Sequence, residues 1–121
     1  MSKTILSIDD SKSVRDMVQF TLEPEGYRVV GAENGQQGLE QLMAHAPNLV
    51  ITDLNMPVMD GITFIQKARA VAAGAGVPIV MLTTETAPEM KQKGKAAGAT
   101  GWINKPFDAD KLIAVTKKLL G

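Results

Sequence analysis

Five short apolar runs, each followed by a longer amphipathic segment, constrain this chain more than any other feature of its sequence. The runs fall at 4–8, 27–30, 49–52, 77–82 and 101–104, and most are nearly continuous in apolar side chains. Continuous runs of that length describe strands buried on both faces, whereas a half-solvated strand would alternate. Between them, helices are predicted over 11–22, with Val14, Met17, Val18 and Leu22 at helical spacing, and from Asn34-Gly35 through Leu39, Leu42 and Met43 to Pro47. A third is expected after Asp60-Gly61 with Ile62, Phe64, Ile65 and Ala68, a fourth over 87–97 with Gly98 as its cap, and a fifth over 108–120. Ser11 or Ser13 suits the start of the first helix, and Pro24 and Gly26 mark its end. Strands alternating with helices give a parallel sheet covered on both faces, and right-handed crossovers make it a doubly wound α/β fold of five strands and five helices. With 121 residues and no internal linker, repeat or low-complexity stretch, 1–121 is expected to be a single domain with no output domain attached.

Several function classes are disfavoured at once. Thirteen basic and thirteen acidic side chains cancel, so no overall field draws the chain to nucleic acid or to an anionic membrane. There is no cysteine, which removes disulfides, thiolate nucleophiles and zinc–thiolate sites. The apolar stretch near the N-terminus is too short for a signal peptide or a span and is cut off by acids, so a cytoplasmic location is expected.

The chemistry-bearing residues fall at the carboxyl ends of the predicted strands: Asp9 and Asp10, Asp53, Thr83 and Thr84, and Lys105. In doubly wound folds ligands bind beyond those ends, where the strand order reverses. A single Asp at a strand end is usually just a helix cap. Three carboxylates converging on one edge repel one another and call for a compensating cation. Without His or Cys, hard oxygen donors select Mg²⁺, with Mn²⁺ as a substitute, over zinc. Acids, one ammonium and one hydroxyl together make a phosphoryl-handling set.

The set Asp9-Asp10, Asp53 within ITDLNMPVMDG, Thr83 and Lys105-Pro-Phe resembles that of bacterial two-component response-regulator receiver domains, from end to end of the chain. Details such as ATGWINKPF are similar to the CheY-like, chemotaxis type. The resemblance implies a flavodoxin-like sheet of order 2-1-3-4-5. It makes Asp53 the phosphoacceptor, charged from a phosphohistidine on a CheA-like sensor histidine kinase. Asp10 would ligate Mg²⁺ directly, Asp9 chiefly through water, and Asn55 through its backbone carbonyl. Lys105, preceding a cis proline, would pair with a phosphate oxygen, and Thr83 would move to hydrogen-bond another. Trp102 stands where the family carries its switch aromatic, more often Tyr or Phe, and places the output on the face built by the fourth and fifth helices and the last strand. Asn55, Glu85 and Thr84 would tune the lifetime of the acyl phosphate, with self-dephosphorylation at the faster end. Such a chain is not an enzyme beyond assisting its own phosphorylation and dephosphorylation. It is expected to be a monomer acting through protein contact, with a flagellar switch or chemotaxis kinase as the favoured partner and a phosphatase as a further one. A phosphate sink or a cell-cycle or developmental phosphorelay regulator is the alternative.

Two other classes compete. A flavodoxin-like electron carrier needs a Gly/Ser/Thr-rich phosphate cradle after the first strand, where this chain has Asp9-Asp10-Ser11-Lys12. A small-molecule phosphatase with an aspartyl intermediate needs a cap segment, and none is visible. His45, alone near a helix end, reads as a solvated residue, and the seven methionines read as packing. Lys91, Lys93, Lys95, Lys117 and Lys118 read as solvated faces, although the lysines beside Trp102 suit an acidic partner segment. Gly38 and Gly94 interrupt helices for no reason visible in the sequence.

Overall fold

A computed structural model describes residues 2–120. The elements run β1 (Thr4–Ile8), α1 (Lys12–Leu22), β2 (Arg28–Ala32), α2 (Gly35–His45), β3 (Leu49–Thr52), α3 (Gly61–Arg69), β4 (Ile79–Thr83), α4 (Pro88–Ala97), β5 (Gly101–Asn104) and α5 (Ala109–Leu120). All strand pairs are parallel, and the order is β2-β1-β3-β4-β5, as the resemblance implied.

The sheet divides the interior into two cores because successive strand side chains point to opposite faces. Leu6, Ile8, Val50, Ile79 and Met81 face one layer with Leu42, Phe64 and Ile65 of α2 and α3. Ile5, Leu49, Ile51, Val80, Leu82 and Ile103 face the other with Val18, Leu22 and Leu112 of α1 and α5. The runs are continuous because both faces are covered.

Boundaries move by a few residues from the sequence-based expectation. β2 starts at Arg28 and continues through Gly31 to Ala32, because its whole length pairs with β1. β4 begins at Ile79 and includes Thr83, since Val77 and the amide-less Pro78 precede its ladder with β3. Ser11 rather than Ser13 caps α1, its Oγ accepting from the Val14 N–H. Gly98 caps α4 in the left-handed conformation at φ 118°.

The expected core role of the methionines needs correction. Met81 is buried, and Met56, Met59 and Met90 pack against the first core. Met17 and Met43, placed on apolar faces by spacing, are 51% and 59% exposed, and Phe20 is 74% exposed. The buried stripes of the two helices are filled by Val18 and Leu22 and by Leu39 and Leu42, and the methionines lie beside those stripes, toward solvent. Met1 lies outside the described residues.

The two helical glycines acquire a packing reason. A Cβ at Gly38 would stand 2.5 Å from Ile8 Cδ1, and one at Gly94 would stand 3.1 Å from Trp102 Cζ3. Among the described residues no helix is long and apolar enough to cross a membrane.

Candidate phosphoryl and metal site

The chain leaves β1 toward β2 at one edge and then crosses back to β3 on the other side of β1, so the crevice opens between the carboxyl ends of β1 and β3. Asp9 and Asp53 are the residues that follow these two strands. Each is fixed by a continuation of the ladder: the Asp9 N–H donates to the Ala32 carbonyl at 3.0 Å and the Asp53 N–H to the Ile8 carbonyl at 2.9 Å. Both side chains are buried, whereas Asp10 is exposed. A carboxylate oxygen from each of Asp9, Asp10 and Asp53 lies within 4.8 Å of the others.

Lys105, just past β5, reaches across the sheet edge. Its Nζ lies 2.7 Å from Asp9 Oδ2 and 2.9 Å from Asp53 Oδ2, so one ammonium bridges both buried acids. The Lys105–Pro106 bond is cis. The remaining oxygens accept from the backbone: Asp9 Oδ1 from the Ser11 N–H at 3.0 Å and Asp53 Oδ1 from the Leu54 N–H at 2.7 Å. Burial raises the Asp9 pKa above the ordinary carboxylate value, only partly offset by Lys105 and the Ser11 amide, with the Asp53 charge adding to the rise. For Lys105 burial acts downward, but the hydrogen bonds and charges of Asp9 and Asp53 outweigh it and raise the pKa, so the ammonium persists.

Thr83, fully buried at the end of β4, accepts the Lys105 N–H with its carbonyl at 3.0 Å. Its hydroxyl is turned to the following loop, accepting from the Glu85 N–H at 3.2 Å. Glu85 then has two further partners: its carboxylate takes the Ala87 N–H at the start of α4, and its carbonyl takes the Trp102 Nε1–H at 3.3 Å. Trp102 is half-buried against the first core, with Lys91 Nζ 5.8 Å from its ring centroid. Asn55 and Thr84 are exposed, each in the loop after the strand whose end carries Asp53 or Thr83.

The structure thus brings Asp9, Asp10, Asp53 and Lys105 into contact range and joins Thr83 to Trp102 through one loop residue. Two participants were not singled out by sequence. Gly61 begins α3 against the end of β3: its N–H donates to the Leu54 carbonyl at 2.7 Å, and a Cβ there would stand 2.2 Å from the Asp53 carbonyl oxygen. Arg15, half-buried in α1, donates from Nη1 to the Asp9 carbonyl at 2.5 Å. Motif spacing alone announces neither contact.

The donor set consists of hard carboxylate oxygens with no nitrogen or sulfur ligand, and among the described residues the Asp10 carboxylate accepts no hydrogen bond. Such a cluster can hold a hard divalent cation.

Fold and site define a doubly wound α/β domain with an acid cluster at its topological switch point. The chain belongs to the response regulator receiver domain family, whose model matches residues 5–117, and it is CheY-like within it. It is 42% identical to the chemotaxis response regulator CheY4 of Vibrio cholerae, with a TM-score of 0.92 over 99% of this chain and 100% of that one. It is 37% identical to the chemotaxis protein CheY of Bacillus subtilis over 99% of both chains. It is also 37% identical to response regulator Rre1 of Synechocystis over 97% of this chain, and there it spans about half (51%) of the relative's length.

Proposed function

We propose that Asp53 accepts a phosphoryl group from a phosphohistidine of a sensor kinase and that the acyl phosphate changes which proteins the α4–β5–α5 face binds. The observation that carries this reading is the pair of buried carboxylates sharing one ammonium beside the exposed Asp10, at the topological switch point. An Asp53 carboxylate oxygen attacks phosphorus, a C–O–P linkage forms, and the donor's P–N bond breaks with its electron pair left on the imidazole nitrogen. Lys105, already 2.9 Å from Asp53, pairs with an oxygen of the incoming group without leaving its place. Asp9, Asp10 and Asp53, with the Asn55 carbonyl, would hold Mg²⁺, which supplies charge neutralisation to the phosphoryl oxygens when bound.

Release follows from the Thr83 bond. The Thr83 hydroxyl accepts from the Glu85 N–H and keeps its own proton to donate; in moving toward a phosphoryl oxygen it draws away from that amide, and the Glu85 loop is what holds Trp102 Nε1 and the Ala87 N–H just before α4. Phosphorylation at Asp53 therefore loosens the Trp102 contact and re-presents the groove of about 330 Å³ that Trp102 lines with Lys91, Lys95, Ala99, Thr100 and Gly101. Its two lysines suit an acidic segment, and the full-length similarity to two chemotaxis proteins supports a flagellar switch or chemotaxis kinase as partner. Exposed Asn55 and Thr84, with Glu85, flank the acceptor and set how fast water removes the group; beyond that self-reaction the chain turns over no substrate.

Radiolabelled acetyl phosphate should label the protein to at most one phosphoryl group per chain. The label requires Mg²⁺ and is released by hydroxylamine, as an acyl phosphate is. A label that survives hydroxylamine would overturn the reading. Beryllofluoride, which stands in for the phosphoryl group on Asp53, should shift the fluorescence of Trp102, the sole tryptophan. An unchanged spectrum with beryllofluoride demonstrably bound would remove Trp102 from the switch.

A further inference from the structure

We propose that Arg15 is a positioning residue for the acid cluster: by holding the Asp9 carbonyl it sets the plane of the peptide joining Asp9 to Asp10, and so the direction from which the Asp10 carboxylate meets a divalent cation. The inference rests on the reading of Asp9, Asp10 and Asp53 as the cation's holders.

Asp9 is secured at three points, by its N–H on Ala32, by Oδ1 on the Ser11 amide and by Oδ2 on Lys105. Asp10 has none of these restraints: it is exposed, and among the described residues its carboxylate accepts no hydrogen bond. What remains to orient it is the backbone that precedes it. The Asp9 carbonyl belongs to the same rigid peptide plane as the Asp10 nitrogen, so a donor on that carbonyl fixes the plane from which the Asp10 side chain departs. Arg15 Nη1 is that donor, at 2.5 Å.

The guanidinium is itself held. Arg15 lies one turn into α1, its N–H on the Ser11 carbonyl at 3.1 Å. Its stem crosses β2 at Gly31, where a Cβ would stand 3.4 Å from Arg15 Cδ and 3.7 Å from Nε. A methyl there would touch the stem at ordinary contact distance and a larger side chain would crowd it, and the stem brings the planar fork to the carbonyl.

The sign of the expected effect separates positioning from simple charge. A cation near a cation site repels the ion, so an Arg15 acting only through its charge would, when removed, strengthen metal binding. A positioning Arg15 gives the opposite result. In titrations of metal-free protein followed by loss of the free Mn²⁺ EPR signal, Arg15→Met, which keeps an apolar stem, should bind Mn²⁺ about 10-fold more weakly than the parent. Arg15→Lys, with a donor and a charge but no fork, should recover part of the loss. Gly31→Val, which crowds the stem and keeps the charge, should weaken Mn²⁺ binding in the same direction, and it carries the test if Arg15→Met fails to fold. Unchanged or tighter binding in Arg15→Met, or in Gly31→Val when it stands in, would overturn the proposal. So would a fall only in the metal-free unfolding midpoint. Asp10→Asn keeps the two readings apart. If it binds Mn²⁺ as the parent does, the metal reading itself fails. If it binds weakly while Arg15→Met does not, only the role of Arg15 falls.

Discussion

Asp53→Asn leaves the fold intact and lowers phosphoryl uptake on the order of 100-fold or more, measured as label from acetyl phosphate or from a phosphorylated kinase. The amide keeps the shape of the carboxylate and an oxygen for the Leu54 N–H, so the local backbone has no reason to move. It loses the anionic oxygen that would form the new bond. It also removes one of the two charges that hold Lys105, leaving the ammonium to Asp9 alone. Relief of the Asp9–Asp53 repulsion offsets the lost ammonium contact, so the unfolding midpoint in metal-free buffer should stay near the parent's. Labelling of the variant at the parent's level would show that Asp53 is not the acceptor.

Gly61→Ala should lower stability by about 2–4 kcal/mol, a shift of roughly 10 °C or more in the unfolding midpoint for a chain of this size. The added methyl would sit 2.2 Å from the Asp53 carbonyl oxygen, 3.0 Å from Leu54 Cα and 3.1 Å from the Asp53 carbonyl carbon, all of them backbone atoms with no rotamer to offer. Either α3 withdraws and forfeits the Gly61 N–H bond to Leu54, or the peptide after Asp53 turns. The second route moves the acceptor, so phosphoryl uptake should fall along with stability. Calorimetry showing the parent's midpoint would mean that α3 approaches the acceptor strand less closely than described.

What could be read from sequence was what is local. Strand 49–52 ends in Asp53 in the structure as in the sequence because an apolar run followed by an acid needs no information from elsewhere in the chain. The parallel order and the acid edge follow from repeating that pattern, and the comparison with receiver domains joined the separate motifs into one site. What escaped depends on neighbours distant in sequence. Met17 matched a helical stripe of which only Val18 and Leu22 are buried in the folded chain. Gly94 is small because Trp102 of the next strand packs on it, and Gly61 because the Asp53 carbonyl does. Arg15 resembles any solvated helical cation until Gly31 and the Asp9 carbonyl are brought beside it. The one resolved boundary surprise near the site, Thr83 inside β4, follows from strand pairing with Asn104.

The bridge from Lys105 to both buried acids has a consequence for any divalent cation the acid cluster would hold. Proteins whose ligand carboxylates have no internal counter-charge depend on the metal to assume their shape. Here a tethered ammonium already supplies counter-charge to both buried acids, so acquiring the architecture and acquiring an ion become separate events. A chain built this way stands ready when divalent cation is scarce, and the ion's arrival prepares it for chemistry and need not complete its folding. On the proposed function, supply of the ion would govern how readily the domain is charged, without deciding whether the domain exists.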